Sequence, residues 1–255
     1  MLFIICSPNL LPTNVMMQTS TYFFSRRATP LLSTFKMPKT RVVMGSFIRK
    51  RIFDFLFALL VIIFIMSWLL PIVALLIKLE TNGPIFFKQL RTGKNGLPFY
   101  CLKFRSMRVN ADSDLKQASK GDSRITNLGA FLRKSSIDEL PQFFNVLKGE
   151  MSVVGPRPHM LSHTEYYSNA IENFMERHTI MPGITGLAQI SGYRGETKEV
   201  ESMAKRVDAD IKYLYNWSFL LDMKIVVLTV RTPFKVPIAT VGLASWLNTK
   251  YCRAR

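Results

Sequence analysis

The feature that most constrains this chain is a run of uncharged residues long enough to cross a membrane. Phe55 to Ile77 is 23 residues without Asp, Glu, Lys or Arg. At a rise of about 1.5 Å per residue, a helix of this length crosses a hydrocarbon core of about 30 Å. Pro71 lies within the run, where it removes a backbone donor and kinks or breaks a helix, and Ser67 lies one turn earlier. The run therefore predicts a membrane-inserted helix that is interrupted near Ser67 to Pro71.

Basic residues flank this run on both sides. Arg49, Lys50 and Arg51 come before it, and Lys78, Lys88, Arg91 and Lys94 come after it. Because Lys and Arg concentrate on the cytoplasmic side of membrane proteins, both ends are expected there. A straight span accounts for the length of the run alone, whereas a re-entrant helix, which bends and returns to the same face, also accounts for the charges. We favour the re-entrant helix, whose freed backbone groups need partners within the protein.

The net charge of +17 raises the question of nucleic-acid binding. Residues 1–51 carry eight Lys and Arg and residues 231–255 carry five, and neither segment contains Asp or Glu. The middle of the chain, 52–230, has 21 basic and 17 acidic residues. Basic ends on either side of an apolar segment fit attraction to anionic lipid at least as well as attraction to DNA, so a nucleic-acid binder is disfavoured.

Composition divides the chain into four parts. Residues 1–44 lack the basic start and the cleavage site of a signal peptide. They are predicted to be a disordered leader, unless translation starts at Met37 or Met44. Residues 45–79 are assigned to the membrane-inserted helix, 80–230 to a globular domain that carries the chemistry, and 231–255 to a basic tail. The three cysteines have no paired spacing, which predicts neither a disulfide framework nor a zinc site.

The globular part mixes strand and helix patterns. Asn95-Gly96 separates two β-rich runs and predicts a hairpin. Helical spacing recurs in two places, first at Leu140, Phe143, Phe144 and Leu147, and then at Val200, Met203, Ala204, Val207, Ile211 and Leu214. Residues 217–230 (WSFLLDMKIVVLTV) are too short to span a bilayer and form either a core helix or an interfacial helix. The expected fold class is α+β.

The start of the first of these helices contains two adjacent acids, Asp138 and Glu139. One possibility makes Asp138 the N-cap, which puts Pro141 in the first turn, where it costs no intrahelical bond. The other makes Ser136 the N-cap, with Glu139 closing a capping box. Gly149 suits the end of the helix. Taken alone, the two acids predict a helix cap and nothing more.

The cations near these acids change that interpretation. Arg133, Lys103 and Arg105 lie on neighbouring predicted elements, and Arg157 stands between Pro156 and Pro158 in VVGPRPH. Arginine suits bidentate binding of phosphate, and two prolines restrict the backbone that carries it. Two carboxylates among such cations predict an anionic substrate and Mg²⁺, which proteins hold with one or two carboxylates and phosphate oxygens.

His159 and His163 are spaced i, i+4, with His178 as a third histidine, but no companion carboxylate motif supports a zinc site.

These motifs resemble a known family. The segments KRIFDFLFALL, GPIFFKQLRTGKNGLPFYCLKFRSMRVNAD, ITNLGAFLRKSSIDELPQFFNVLKGEMSVVGPRP and MPGITGLAQISGYRG are similar, in this order, to the bacterial sugar transferases, the monotopic phosphoglycosyl transferases that initiate exopolysaccharide, capsule or O-antigen synthesis. The resemblance covers about residues 50–230. One departure is that Leu70, and not a serine, precedes Pro71.

The resemblance implies a specific reaction. The enzyme would transfer a sugar 1-phosphate from a UDP-sugar to polyprenyl (undecaprenyl) phosphate and release UMP, at the cytoplasmic face of the bacterial inner membrane. Asp138 would be the nucleophile that forms a covalent phosphosugar intermediate, and Glu139 would assist with Mg²⁺. Arg133, Arg157 and Arg194, with Lys103 and Arg105 as further candidates, would contact phosphates. Downstream glycosyltransferases would use the product.

Two hypotheses from other classes remain beside this one. The chain could be a catalytically inactive, membrane-bound interaction module derived from the same family, or a basic nucleic-acid binder. Release of UMP from a UDP-sugar separates an enzyme from such a module. The position of the basic residues at the two ends of the chain counts against the nucleic-acid binder.

Overall fold

The computed structural model describes residues 44–109, 119, 121–193 and 199–231. Nearly all of the predicted leader and of the predicted basic tail lie outside these residues. The described helices are α1 (Met44–Val61), α2 (Ser67–Glu80), α3 (Asn127–Ser135), α4 (Gln142–Lys148), α5 (Leu161–Ala170), α6 (Leu187–Ile190), α7 (Val200–Tyr215) and α8 (Phe219–Arg231). The strands are β1 (Phe86–Thr92), β2 (Pro98–Phe104), β3 (Ser152–Val154) and β4 (Gly183–Thr185).

The apolar run forms a long helix made of α1, a π-helical turn at Ile62–Met66, and α2. Its segment Phe47–Glu80, 34 residues, is long and apolar enough to cross a membrane. At about 1.5 Å per residue this segment is about 51 Å long. The sequence prediction of one membrane-length helix is confirmed at this level of length and composition.

The interruption of this helix lies one turn earlier than the sequence predicted. Pro71 lies inside α2, and the irregular turn is Ile62–Met66. The hydroxyl of Ser67 donates to the Ile63 carbonyl at 2.5 Å, and the indole nitrogen of Trp68 donates to the Phe64 carbonyl at 2.9 Å. Two carbonyls of the irregular turn therefore accept hydrogen bonds from side chains of the next turn, although no serine directly precedes the proline.

One stripe of the long helix packs on the globular domain along its whole length. Asp54, Ala58, Met66, Val73 and Ile77 are buried. Over the eight residues from Ala58 to Met66, a regular α-helix would place Met66 about 80° around the helix axis from Ala58. The π turn rotates less per residue and offsets roughly that angle, so both side chains face the domain. The other side of the helix exposes large apolar side chains, namely Ile52, Phe55, Leu56, Leu60, Ile63, Phe64, Trp68, Ile72, Leu75, Leu76 and Leu79. We call this side the apolar face of the long helix.

The predicted hairpin is confirmed. Strands β1 and β2 pair antiparallel, with Phe86 opposite Phe104 and Thr92 opposite Pro98. The turn between them has positive φ at Asn95 (56°) and at Gly96 (74°), the conformation that this dipeptide adopts at low cost. A second, parallel pair joins β3 to β4. The small sheets and the surrounding helices give the mixed α and β architecture expected from the sequence.

The helix predicted to begin near Asp138 begins later, and neither predicted N-cap is the N-cap of α4, although Ser136 is the N-cap of the turn before it. A 3₁₀ turn occupies Ile137–Glu139, Pro141 is the N-cap, and α4 starts at Gln142. Proline is favoured at the start of a helix, and α4 therefore starts just after Pro141. The residues before Pro141 form a separate turn. Neither acid caps α4, because Pro141 takes the N-cap position. The predicted end of the helix is confirmed, since Gly149 is left-handed (φ 86°).

Two apolar clusters hold the domain against the long helix. Ala58 contributes to the first cluster, with residues of α4, β3 and α8, whereas Met66, Val73 and Ile77 contribute to the second, with residues of β2 and α3.

The predicted amphipathic helix α7 is confirmed, and it buries Met203, Val207 and Leu214. Helix α8 buries Leu221, Asp222 and Ile225 and exposes Leu220, Val227 and Val230, so its inner side belongs to the core while its outer side is apolar and open.

Candidate active site

The paired acids lie in a tight turn between two helices. Ser136 ends α3 in the left-handed conformation (φ 61°), and Pro141 starts α4. The 3₁₀ turn between them presents Asp138 and Glu139 side by side. Asp138 is 7% exposed, and within the described residues its carboxylate receives no hydrogen bond. The turn therefore holds one carboxylate that is largely removed from water and not directly paired.

Two cations from different elements bind the second carboxylate. Lys103, on β2, places its Nζ 2.7 Å from Glu139 Oε1. Arg157, in the loop after β3, donates from Nη2 to Oε1 at 2.5 Å and from Nη1 to Oε2 at 3.2 Å. The arginine thus makes the bidentate contact that its planar group favours. Of the three side chains, Arg157 is the most accessible, at 31% exposure against 16% for Lys103 and 14% for Glu139.

The two acids differ in protonation behaviour because their partners differ. Burial raises the pKa of Asp138, and this effect outweighs the nearby positive charges of Lys103, Arg133 and Arg157. Burial would also raise the pKa of Glu139, but Arg157 and then Lys103 outweigh it and hold that pKa well below its usual range. Glu139 is therefore a fixed negative charge within a cluster of cations, and Asp138 is the acid whose charge burial disfavours.

The structure brings together some of the predicted phosphate-binding residues. Lys103 and Arg157 meet at Glu139, and Arg133, in the last turn of α3, is near enough to lower the pKa of Asp138. Arg105 is buried and donates instead to the carbonyls of Thr81 (2.7 Å) and Asn82 (2.6 Å), at the end of α2. Its predicted phosphate contact is unsupported by these hydrogen bonds. Arg194 lies outside the described residues.

Close backbone packing fixes the loop that carries Arg157. The Gly155 nitrogen donates to the Thr185 carbonyl at 2.8 Å, and the Gly183 nitrogen donates to the Pro156 carbonyl at 2.9 Å. A Cβ added to Gly183 would overlap the Gly155 nitrogen, and one added to Gly186 would overlap the Gly155 carbonyl oxygen. Only glycine allows these two segments to approach so closely. The Gly-Pro frame predicted around Arg157 is thus supported from β4 and the residues that follow it.

Sequence reasoning missed a residue that fixes the strand carrying Lys103. Asn145, on α4, is fully buried, and its side chain accepts from the Leu102 nitrogen at 3.0 Å and donates to the Tyr100 carbonyl at 2.7 Å. It also donates to Glu150 Oε2 at 2.6 Å. The pattern that could have revealed it is an amide side chain inside a short, mostly apolar helix, which needs buried partners.

Among the described residues of the site, the donors that a metal could use are the two acids of the turn. Among the described residues, no group of three His, Cys, Asp or Glu side chains is placed to hold a metal ion. His159 and His178 are buried, and burial, followed by nearby arginine charge, lowers the pKa of both. The two oxygens of Glu139 already accept from cations. Asp138 and Glu139 thus suit Mg²⁺ only where substrate phosphates supply further oxygens.

A helix long and apolar enough to cross a membrane packs on the domain that carries the paired acids and their cations. The sequence model of the bacterial sugar transferases matches residues 44–236, more than half of the chain. The chain belongs to this family.

Three of the curated relatives carry the same name. The chain is 48% identical over 206 residues to the UDP-glucose:undecaprenyl-phosphate glucose-1-phosphate transferase of Klebsiella pneumoniae, a match that covers 80% of the chain and 43% of that protein. It is 52% identical to the protein of the same name from Xanthomonas campestris pv. campestris, over 62% of the chain and 33% of that protein. It is 49% identical to the one from Caulobacter vibrioides, over 72% of the chain and 68% of that protein. The chain thus spans less than half the length of the first two relatives.

Proposed function

We propose that this protein transfers a sugar 1-phosphate from a UDP-sugar to a polyprenyl phosphate, with UMP as the leaving group. The observation that carries the proposal is the turn in which Asp138 is buried without a hydrogen-bonded cation, next to Glu139, which is held by Lys103 and Arg157. The names of the relatives support this substrate class, and UDP-glucose is the first donor to test.

The proposed reaction has two displacements at one phosphorus. A carboxylate oxygen of Asp138 attacks the phosphorus that bears the sugar, and the bond from that phosphorus to the oxygen bridging to the uridylyl group breaks, which releases UMP. An oxygen of polyprenyl phosphate then attacks the same phosphorus, the bond to Asp138 breaks, and the carboxylate is regenerated. Two easier steps through a covalent intermediate replace one difficult transfer. A carboxylate that burial has largely removed from water is suited to the first attack.

The cations have a separate proposed role. Arg157, the most accessible of the three side chains, would bind the diphosphate while it remains close to Glu139, and Arg133 would add positive charge near Asp138. Glu139 would keep Lys103 and Arg157 in place between substrates. Fixed charges in a site of low water content stabilise the charge that develops on phosphate oxygens and need no rearrangement during the reaction.

We also propose that Mg²⁺ takes part. Asp138 and Glu139, together with substrate phosphate oxygens, would hold it, since the two acids alone provide too few free oxygens. When bound, the ion would neutralise negative charge on the diphosphate. Beside the ion, Lys103 and Arg157 would bind and orient the phosphates.

We propose that the long helix enters the membrane from the cytoplasmic face and returns to it. The supporting observation is that both of its ends bind the same globular domain: Arg51 donates to the Leu147 carbonyl at 3.1 Å, and Glu80 accepts from the Leu128 nitrogen at 3.0 Å. The apolar face of the long helix would meet lipid. Reporters placed before Arg49 and after Lys78 are both expected to be cytoplasmic. If the two reporters are found on opposite sides of the membrane, the helix spans it.

The central experiment measures UMP release. Full-length protein in detergent, incubated with UDP-glucose, Mg²⁺ and polyprenyl phosphate, is expected to release UMP. Asp138→Asn is expected to abolish the release because an amide cannot form the intermediate. Asp208→Asn, which changes an exposed acid on α7, serves as the matched control and is expected to retain activity. Equal release from the Asp138→Asn variant and the original protein would show that Asp138 is not the nucleophile.

A second experiment uses a UDP-sugar whose sugar phosphate is radiolabelled. Label that binds to the original protein and not to the Asp138→Asn variant would establish the intermediate.

A further inference from the structure

The loop that carries Arg157 has its backbone acceptors occupied one after another. The carbonyls of residues 156–159 accept, in order, from the Gly183 nitrogen at 2.9 Å, Arg177 Nη2 at 2.7 Å, Arg91 Nη1 at 2.9 Å and the Thr92 nitrogen at 2.9 Å. The donors come from three other parts of the fold, namely β4, the 3₁₀ turn Phe174–Thr179 and β1. Four consecutive carbonyls held in this way restrict the backbone on both sides of the Arg157 side chain.

Arg177 is the donor that holds the carbonyl of Arg157 itself. It comes from the 3₁₀ turn Phe174–Thr179, and its side chain is fully buried. The second terminal nitrogen, Nη1, donates to His159 Nδ1 at 2.9 Å, so that one guanidinium group contacts residues 157 and 159 of the same loop. The low pKa of His159, due to burial and then to Arg177, keeps this ring neutral and able to accept.

Asp210 provides the counter-charge for this buried guanidinium group. Its Oδ2 lies 2.8 Å from Arg177 Nη2, and Asp210 is 1% exposed on α7. A buried guanidinium group without a partner would cost several kcal/mol, which the ion pair offsets. Asp210 also falls in the i, i+3, i+4 series Met203, Val207, Asp210, Leu214 on the buried side of α7. An acid on the buried side of a helix needs a partner, so its presence there indicates a buried cation on the element that packs against the helix.

We propose that Arg177 is a positioning residue for Arg157. By holding the Arg157 carbonyl and the His159 ring, it fixes the backbone from which the Arg157 guanidinium group reaches Glu139 and the substrate phosphates. The inference rests on the proposed role of Arg157 in phosphate binding. The plainer alternative is that Arg177 and Asp210 only join the 3₁₀ turn to α7, in which case a change at Arg177 would affect folding without any special relation to Arg157.

A double-mutant cycle separates these two roles. The variants are Arg177→Lys, which keeps the charge but loses the forked donor, Arg157→Lys, and the two together, each assayed as the full chain for kcat and KM with UDP-glucose. Arg177→Lys alone is expected to lower kcat/KM roughly 10-fold, as for the loss of one hydrogen bond to a charged group. In the Arg157→Lys background the same change is expected to have an effect of less than about 2-fold, because the two residues act together.

The control variant is Lys205→Met. Lys205 is an exposed cation on α7 that pairs with Glu201, also exposed, so its loss is expected to leave kcat/KM unchanged. Thermal unfolding of every variant shows whether the fold is intact. If Arg177→Lys does not fold, Arg177→Met takes its place in the cycle, since the nearby charge of Arg206 still stabilises the buried Asp210 carboxylate.

The outcomes distinguish the inference from the proposed function. A loss that is much smaller in the Arg157→Lys background supports positioning. An equal loss in both backgrounds overturns the positioning role and leaves the role of Arg157 intact. Full activity in Arg157→Lys overturns the need for the forked guanidinium group of Arg157, and the positioning role with it.

Discussion

Lys50 and Asp222 form an ion pair, with Lys50 Nζ 2.7 Å from Asp222 Oδ2, that joins the long helix to α8. Asp222 is fully buried and also accepts from the Tyr213 hydroxyl at 2.7 Å and from the Trp217 indole at 3.0 Å. The helix that carries the membrane-length run is thus tied to the domain by charge as well as by apolar contact. The basic residues before the apolar run are predicted to attract lipid, but Lys50 uses its charge within the protein.

The first prediction concerns this pair. Lys50→Met is expected to lower the free energy of unfolding by about 3 kcal/mol, because it leaves a buried carboxylate without its cation. Thermal or denaturant unfolding in detergent measures the change. Lys78→Met, an exposed lysine near the other end of the long helix, is the matched control and should change stability by less than about 0.5 kcal/mol. Equal stability of both variants would contradict the prediction.

The second prediction concerns the pH dependence of UMP release. Asp138 attacks as a carboxylate, and burial raises its pKa, so activity is expected to fall on acidification at a higher pH than an ordinary aspartate would require. Lys103 is the first of the cations that lower this pKa. Its removal in Lys103→Met should therefore raise the pKa of Asp138 further and move the acid limb of kcat/KM to higher pH. An acid limb that stays in place, or moves to lower pH, would contradict this assignment.

The third prediction concerns Glu139→Gln. The amide keeps the shape of the side chain but removes the charge that holds Lys103 and Arg157. Both cations then become freer to bind the diphosphate, while their positions for the reaction are lost. We expect kcat to fall by roughly 10-fold or more, and KM for UDP-glucose to stay the same or decrease. The opposite result, a raised KM with unchanged kcat, would show that Glu139 serves substrate binding alone.

The fourth prediction concerns the close approach of two backbone segments. Gly183→Ala is expected to cost about 2–3 kcal/mol of stability through overlap with Gly155 and to reduce activity by displacing the Arg157 loop. Gly192→Ala is the comparison, because a Cβ there meets no atom of the described residues within 4 Å, and its positive φ of 92° is what opposes the change. That strain alone costs about 1 kcal/mol. Unfolding and UMP release of both variants check the difference.

Local patterns predicted the local structure well. The hairpin turn at Asn95-Gly96 and the helix at Val200–Tyr215 depend on neighbouring residues, and both are present. The helix after Asp138 was placed too early because helical spacing does not reveal whether the residues before Pro141 join the helix or form a separate turn. That difference matters at the site, since a separate turn presents the two acids instead of using them as a cap.

Long-range partners could not be predicted in the same way. Sequence reasoning gathered Lys103, Arg105, Arg133 and Arg157 around the acids as a set. The structure brings Lys103 and Arg157 to Glu139, whereas Arg105 donates to carbonyls at the end of α2. The pairs Lys50–Asp222 and Arg177–Asp210 were missed, and the first of them is separated by 172 residues. Nothing local specifies which of 34 basic residues meets a given acid. The available indication was each acid's place in an apolar pattern, which predicts burial but does not identify the partner.

The stripe of buried residues on the long helix has a practical consequence for anyone who shortens the chain. Ala58, Met66, Val73 and Ile77 complete the two apolar clusters of the domain. A fragment that begins after Glu80 would open both clusters to solvent and leave Asp222 without Lys50. This helix is therefore no detachable anchor, and a water-soluble version of the protein is better sought by replacing outward-facing residues such as Phe64 and Leu75 than by truncation.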